Sequence, residues 1–150
     1  MTDPQTVAPP SAATMESRQA RLRQASLAVL IVLVIQFALG MGVNLYTKLP
    51  APGHGHASWF GSGALLALHT ALGMILILSA IAVLVRAIAA RNRTLIVTSA
   101  AGFVAILLAA FFGSGFTDKL TNGYSFGMAL ATAVALACYA IGLYAVSTRR

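Results

Sequence analysis

Four long stretches of mainly apolar residues divide the chain, and the charged residues Asp, Glu, Lys and Arg are confined to the segments outside them. The stretches cover residues 25–46, 64–85, 95–116 and 124–146. At 1.5 Å per residue, a helix of this length reaches roughly 33 Å and crosses a hydrocarbon core about 30 Å thick. A helix also satisfies its own backbone hydrogen bonds, as lipid requires. The pattern predicts an all-α membrane protein with four transmembrane helices.

The connections predict how these helices are arranged. The connections after the second and third stretches are short, whereas residues 47–63 form a longer loop rich in proline and glycine. Short connections make consecutive helices antiparallel neighbours, so residues 25–146 are expected to form one up-down-up-down bundle. Residues 1–24 show no hydrophobic periodicity and are expected to be a flexible basic tail, with residues 147–150 as a second tail.

The composition is that of a membrane protein. Hydrophobic residues make up 59% of the chain and charged residues 9%, whereas soluble domains carry about 25% charged residues. The net charge of +7 does not indicate nucleic acid, because the arginines flank the apolar stretches and form no continuous basic face. The lipid bilayer is the expected partner.

The positive charges also predict the orientation. One side of the membrane would hold eight arginines, and the other would hold only Lys48 and Lys119. The arginines are Arg18, Arg21, Arg23, Arg86, Arg91, Arg93, Arg149 and Arg150. Because loops rich in Lys and Arg remain in the cytoplasm, both termini are expected to be cytoplasmic.

A short repeat links the first and third stretches. Residues 40–49 and 113–120 both read Gly-x-Gly, then an aromatic residue, Thr, Lys and Leu, and their alignment needs gaps of three residues and one residue. Both stretches cross the membrane in the same direction, so the repeat indicates two duplicated helical hairpins related by an axis along the membrane normal. The alternative is that similar demands on any helix exit produce such a match.

Small residues are spaced for close helix packing. Lipid is as apolar as leucine, so helices in a membrane associate through small residues that let their backbones approach. Stripes at four-residue spacing are expected to face a neighbouring helix or, alternatively, a second copy of the chain. They comprise Ala101, Ala105, Ala109, Gly113 and Thr117 on the third helix, and Gly127, Ala131 and Ala135 on the fourth.

Several classes of function are excluded. No Asp, Glu, Lys or Arg lies inside a predicted span, whereas ion-coupled carriers place such a group at depth to bind and release charge. The sequence also contains no phosphate-cradling glycine loop and no recognisable Ser-His-Asp set. We therefore expect no ion-coupled transport.

His69 is the one histidine within a predicted span, roughly 8 Å below the outer boundary. One interpretation is a neutral histidine that is hydrogen-bonded to a neighbouring hydroxyl or carbonyl. The alternative is an axial haem b ligand paired with Met41 or Met128, which come to similar depth, although membrane cytochromes commonly use two histidines. The polar residues near this level are Asn44, Thr70, Ser114 and Ser125.

Two further polar features concern the long loop and the first span. His54 and His56 form a His-x-His pair that can bind Zn²⁺ or Cu²⁺, although such a loop also tolerates histidines that have no function. Gln36 lies near the middle of the first span, where an amide is expected to donate an interhelical hydrogen bond worth about 1 kcal/mol.

A family resemblance rests on three short motifs. They are Asn44-Leu45-Tyr46 followed by Pro50, the His69-x-x-x-Gly73 pair, and Gly113…Phe116…Asn122-Gly123-x-Ser125-Phe126. Together they resemble small uncharacterised four-span membrane proteins of actinobacterial type, over all four spans. The resemblance implies the same topology and a polar cluster that matters near the outer surface, but it implies no reaction.

These observations favour a bacterial inner-membrane protein without catalytic activity or cofactor, acting as a homo-oligomer or as an accessory subunit of a larger complex. The alternative is a redox protein that handles haem or metal through the outer cluster around His69. A third hypothesis is a channel or carrier for a neutral solute, with Gln36 and Asn44 as pore-lining amides.

Overall fold

The computed structural model describes residues 12–46 and 63–147, and these residues form four α-helices. The helices are α1 (Ala12–Tyr46), α2 (Ala64–Ala89), α3 (Arg93–Lys119) and α4 (Asn122–Ser147). All four are long and apolar enough to cross a membrane. The predicted all-α bundle of four membrane-spanning helices is confirmed.

Helix α1 begins well before the first apolar stretch. Residues 12–24 are helical, so the expectation of a flexible tail is wrong for this part of the chain. The physical reason is local, because residues 19–24 are Gln, Ala, Arg and Leu, which all have high helix propensity. Residues 1–11 of that tail and residues 148–150 of the second tail lie outside the described residues.

The four helices pack in a closed ring. Each helix packs against its two neighbours in the order α1, α2, α3, α4 and back to α1, while the Cα atoms of the diagonal pairs of described helices are more than 8 Å apart. One end of the ring carries Arg21, Arg23, Arg86, Arg91 and Arg93 and is called the arginine end below. Two clusters of buried side chains fill the ring, a larger one near its middle and a smaller one closer to this end.

The buried positions support a duplicated hairpin. A shift of 73 residues carries the buried residues Leu22, Ser26, Val29 and Leu33 of α1 onto the buried residues Leu95, Ser99, Gly102 and Ile106 of α3. A shift of 59 residues carries Leu76, Ala80, Val83 and Ala87 of α2 onto Ala135, Tyr139, Gly142 and Val146 of α4, which are also buried. Equivalent helices are diagonal in the ring, as a twofold axis along the bundle requires.

The ungapped shift changes how the repeat is aligned after its Gly-x-Gly motifs. Phe116 becomes equivalent to Val43, not to Tyr46 as in the gapped alignment. Val43 and Phe116 line the same cavity, whereas the side chain of Tyr46 is 83% exposed. The Gly-x-Gly match lies inside the equivalent helices. Of the matched residues that follow it, Phe116, Thr117 and Lys119 still belong to α3, whereas residues 47–49 lie outside the described residues.

Glycines receive aromatic rings where α3 packs on α4. A Cβ atom at Gly102 would lie 2.7 Å from the Tyr139 ring, one at Gly127 would lie 2.9 Å from Phe112, and one at Gly115 would clash with Tyr124. The rings therefore fill notches that only glycine leaves open. Small residues bring these two helices together as expected, but through ring-in-notch contacts and not through two facing stripes.

The stripes at four-residue spacing are only partly used for packing. Ala105, Ala131 and Ala135 are buried, whereas Ala101 is exposed. A strict four-residue repeat drifts by about 40° for every four residues around a helix of 3.6 residues per turn. For that reason the stripe leaves the interface near its start, where Gly102 takes the inward position in place of Ala101.

Tyr139 supplies the first testable prediction. Its side chain is 2% exposed, and its hydroxyl has no hydrogen-bond partner among the described residues. A buried hydroxyl without a partner costs about 1–3 kcal/mol. Tyr139→Phe keeps the ring in the Gly102 notch, so it is expected to raise the unfolding free energy in detergent by about 1 kcal/mol. A loss of stability on SDS titration would mean that the hydroxyl has a partner in the membrane.

Candidate functional site

A polar pair joins α1 to α2 within the membrane-spanning part of the bundle. The Nε2 atom of Gln36 donates a 2.9 Å hydrogen bond to the backbone oxygen of His69 and lies 3.4 Å from Nε2 of the imidazole ring. The expectation that Gln36 donates an interhelical hydrogen bond is confirmed. The imidazole faces this amide, although a hydroxyl or a carbonyl was the expected partner.

Two glycines make room for this pair. A Cβ atom at Gly40 would lie 3.1 Å from Cε1 of His69, and one at Gly73 would lie 3.1 Å from Nε2 of Gln36. Each polar side chain therefore rests on a glycine of the opposite helix. The sequence signal was the same spacing on both antiparallel helices, Gln36-x-x-x-Gly40 and His69-x-x-x-Gly73, and only the second of these motifs was singled out from the sequence.

The pair retains unused hydrogen-bonding capacity. Oε1 of Gln36 and Nδ1 of His69 are enclosed and have no hydrogen-bond partner among the described residues. Buried polar atoms are normally paired with protein or with ordered water. The amide oxygen of Gln36 and the ring nitrogen Nδ1 of His69 therefore lack this usual partner among the described residues.

Both side chains line a cavity of about 240 Å³ between the four helices, called the His69 cavity below. Seven of its residues belong to α1: Leu33, Gln36, Phe37, Gly40, Met41, Val43 and Asn44. The shift of 73 residues carries these onto the seven that belong to α3: Ile106, Ala109, Ala110, Gly113, Ser114, Phe116 and Thr117. The cavity therefore lies between equivalent faces of α1 and α3, where an axis that relates the two hairpins would pass.

The cavity walls differ between the hairpins despite this equivalence. Gln36 in the first hairpin corresponds to Ala109 in the second, and His69 corresponds to Met128. One wall thus has an amide and an imidazole where the other has a methyl group and a thioether. Apart from a few polar groups the lining is apolar, as is typical of sites for small molecules.

The cavity is closed toward the arginine end. Its deepest lining residues are Leu33, Leu76, Ile106 and Ala135, each 4% exposed or less. Below them the bundle is filled by the core that includes Val29, Ala80 and Tyr139. At the other end its lining includes exposed residues such as Met41 and Asn44, so the cavity reaches the protein surface there.

The predicted polar cluster is brought together in this cavity. Asn44, Thr70, Ser114 and Ser125 all line it, as do Met41 and Met128. Thr70 and Ser114 donate their hydroxyl hydrogens to the carbonyls of Leu66 and Phe111 on their own helices, at 2.9 Å in both cases. Such local bonds use up the hydroxyl donors. The interhelical polar contact of this cavity is therefore made by Gln36 and His69.

The geometry does not fit a haem. An iron ligand needs a free imidazole nitrogen, but Nε2 of His69 lies against the Gln36 amide, and Nδ1 is enclosed. The cavity of about 240 Å³ is also smaller than the roughly 300–1,000 Å³ typical of sites for drug-sized ligands, and a porphyrin is larger than many of these ligands. The sequence hypothesis that pairs His69 with Met41 or Met128 on an iron finds no support in this arrangement.

The loop metal hypothesis stays a prediction. His54 and His56 lie outside the described residues. Among residues 12–46 and 63–147, no group of three or more His, Cys, Asp or Glu side chains could hold a metal ion.

Comparison of the chain with protein-family models, with curated proteins and with solved structures gives no match. The function is therefore inferred from the His69 cavity and its side chains.

Proposed function

We propose that this protein binds a small, mainly apolar molecule with one hydroxyl or N–H group in the His69 cavity. The observation that carries the proposal is the position of Gln36 and His69, two side chains with unused hydrogen-bonding atoms, in the wall of an otherwise apolar cavity. The Gln36 amide oxygen is enclosed in the structure, so the amide turns toward the ligand when the ligand binds and accepts its hydrogen bond. The apolar walls enclose the rest of the ligand.

The size of the cavity limits the ligand. An apolar cavity of about 150 Å³ in a protein interior binds benzene, so 240 Å³ corresponds to a molecule of roughly two fused rings or an equivalent branched chain. Such a molecule dissolves in the membrane and enters from there. A hydroxyl or N–H group then distinguishes it from lipid tails, which cannot donate a hydrogen bond.

Binding is favoured over conduction by the closed base of the cavity. Four buried side chains lie between it and the arginine end, so a solute that enters does not find a continuous path through the bundle. The channel hypothesis for a neutral solute would need these side chains to separate. Ala109, Gly113 and Thr117 of the predicted packing stripe on α3 line this cavity. Assembly with other chains would therefore use the exposed faces of the helices, and it is compatible with ligand binding.

The test uses 1-naphthol and naphthalene, which have the same rings and differ by one hydroxyl group. Purified protein in nanodiscs is titrated with each compound, and the fluorescence of the compound reports binding. Saturable binding of 1-naphthol is expected, with Gln36→Leu weakening it roughly threefold to tenfold, as the loss of one hydrogen bond predicts. Naphthalene binding is expected to be indifferent to Gln36→Leu.

Two alanines of α3 provide a matched pair of control variants. Ala109 lines the cavity and Ala101 is exposed on the same helix. Ala109→Leu fills the cavity and is expected to abolish saturable binding, whereas Ala101→Leu leaves it unchanged. Equal 1-naphthol uptake by both variants would mean that the compound enters the bilayer or another surface, and the proposal would then fail.

We also propose that the protein lies in a bacterial inner membrane with both termini in the cytoplasm, where it assembles with further copies or with a larger membrane complex. The five arginines at one end of the described bundle, against Lys119 at the other, support this orientation by the positive-inside rule. Reporter tags fused to each terminus test it, because tags reached from the periplasm would reverse it. Cross-linking in native membranes tests the assembly.

A further inference from the structure

We propose that the bundle holds the phosphate headgroup of an anionic phospholipid in a groove between α1 and α2 at its arginine end. The groove has a volume of about 650 Å³ and is separate from the His69 cavity. Its lining is Arg21, Leu22, Gln24, Ala25, Ala28, Arg86, Ala89 and Ala90. This set of residues is called the arginine groove below.

The charges of the groove favour an anion. Arg21 comes from α1 and Arg86 from α2, so two guanidinium groups approach one space from two helices. Among the described residues the carboxylates are those of Glu16 and Asp118, and neither lines the groove. The end of α2 adds a partial negative charge of about one half, which two full positive charges outweigh. A phosphodiester accepts hydrogen bonds from both guanidinium forks.

The depth of the groove favours a lipid as the source of that phosphate. Arg21 lies four residues before the first apolar stretch, roughly 6 Å outside the hydrocarbon boundary, and Arg86 lies directly after the second stretch. Headgroups occupy the layer of about 5–8 Å on each side of the hydrocarbon core. The alanines of the groove leave room for the glycerol and the start of the acyl chains, and Gln24 offers an amide to the ester oxygens.

The second hairpin shows that this groove is not a general property of the bundle. The residues equivalent to Arg21, Gln24 and Arg86 are Thr94, Val97 and Ala145. Both guanidinium groups are therefore absent from the related position. Basic pockets between transmembrane helices are a recurring mode of recognition for anionic lipid headgroups. Within residues 12–46 and 63–147, the arginine groove has this pair of guanidinium groups and the equivalent positions of α3 and α4 do not.

The experiment measures lipid binding to delipidated protein in a neutral detergent by native mass spectrometry. Dioleoyl phosphatidylglycerol is the probe, dioleoyl phosphatidylcholine is the neutral comparison, and glycerol phosphate is the soluble competitor. Binding of the anionic lipid is expected to exceed that of the neutral lipid and to resist a tenfold excess of glycerol phosphate. Arg21→Gln with Arg86→Gln is expected to weaken it by roughly tenfold or more, from the loss of two surface charges.

The control removes the same charge from the same end. Arg23 and Arg93 are exposed and do not line the groove, so Arg23→Gln with Arg93→Gln is expected to change binding by less than about twofold. Equal weakening by both double variants would overturn the proposal in favour of a diffuse basic belt. If glycerol phosphate fully displaced the anionic lipid, the groove would bind a soluble phosphate, and the proposal that it holds a lipid headgroup would fail.

A steric variant keeps the proposal testable if the charge variants fold poorly. Ala28→Phe fills the groove without changing charge, and its equivalent in the second hairpin is the exposed Ala101. Ala28→Phe is expected to lower binding of the anionic lipid, whereas Ala101→Phe is not. Unchanged lipid binding in Ala28→Phe would overturn the proposed position.

Discussion

Ala105→Leu is expected to lower the unfolding free energy of the bundle by about 1–3 kcal/mol, the usual cost of inserting carbon atoms into a filled core. Ala105 is 4% exposed and belongs to the core that also contains Leu76, Ala135 and Tyr139. A leucine there has no space to occupy unless α3 moves away from its neighbours. SDS titration or steric trapping in mild detergent measures the loss.

The same substitution one turn along α3 is expected to behave differently. Ala109 lines the His69 cavity, so Ala109→Leu extends into empty space and should change stability by less than about 1 kcal/mol. Ala101→Leu, on the exposed face, should change it by less than about 0.5 kcal/mol. If Ala105→Leu and Ala109→Leu were equally destabilising, the cavity described between the helices would be absent in the membrane.

Gly102→Ala is expected to destabilise the contact between α3 and α4 by about 1–2 kcal/mol, after its gain in helix propensity of about 1 kcal/mol is subtracted. The new Cβ would lie 2.7 Å from the Tyr139 ring. That ring is rigid and 2% exposed, so the two helices must separate to relieve the overlap. The measurement is again the unfolding free energy in detergent.

Two controls separate this clash from an effect of glycine replacement in general. A Cβ at Gly123 meets nothing within 4 Å, so Gly123→Ala is expected to be neutral or slightly stabilising. In a Tyr139→Leu background the ring is gone, and the cost of Gly102→Ala should shrink, as a coupled pair requires. If Gly102→Ala lowered the unfolding free energy equally in the Tyr139→Leu background, the clash with the Tyr139 ring would not be the cause of the destabilisation.

The fold was predictable because span length and apolar continuity decide it. The predicted stretches end within four residues of both ends of α2, α3 and α4, and the first stretch ends at the same residue as α1. The short connections predicted that consecutive helices are antiparallel neighbours. The start of α1 is not predicted by apolar continuity, because residues 12–24 lie before the first apolar stretch. They contain good helix formers, and these continue the helix beyond that stretch.

The site was predictable in its parts but not in its geometry. Gln36, His69 and the hydroxyl residues were each identified by their polarity within apolar runs, and all of them line one cavity. Their convergence depends on helix rotation, which a uniformly apolar pattern does not encode. Ala101 shows the limit most clearly, because four-residue spacing suggested an inward face where the turn of the helix directs the residue outward.

The position of the His69 cavity on the axis between equivalent hairpins has an evolutionary consequence. If the ancestor was a homodimer of single hairpins, every residue on that axis necessarily faced its own copy, so a polar wall could only oppose an identical polar wall. Fusion of two such hairpins into one polypeptide would remove that obligation. Gln36 and His69 could then lie opposite Ala109 and Met128, which leaves the cavity with polar groups on one wall and apolar groups on the other.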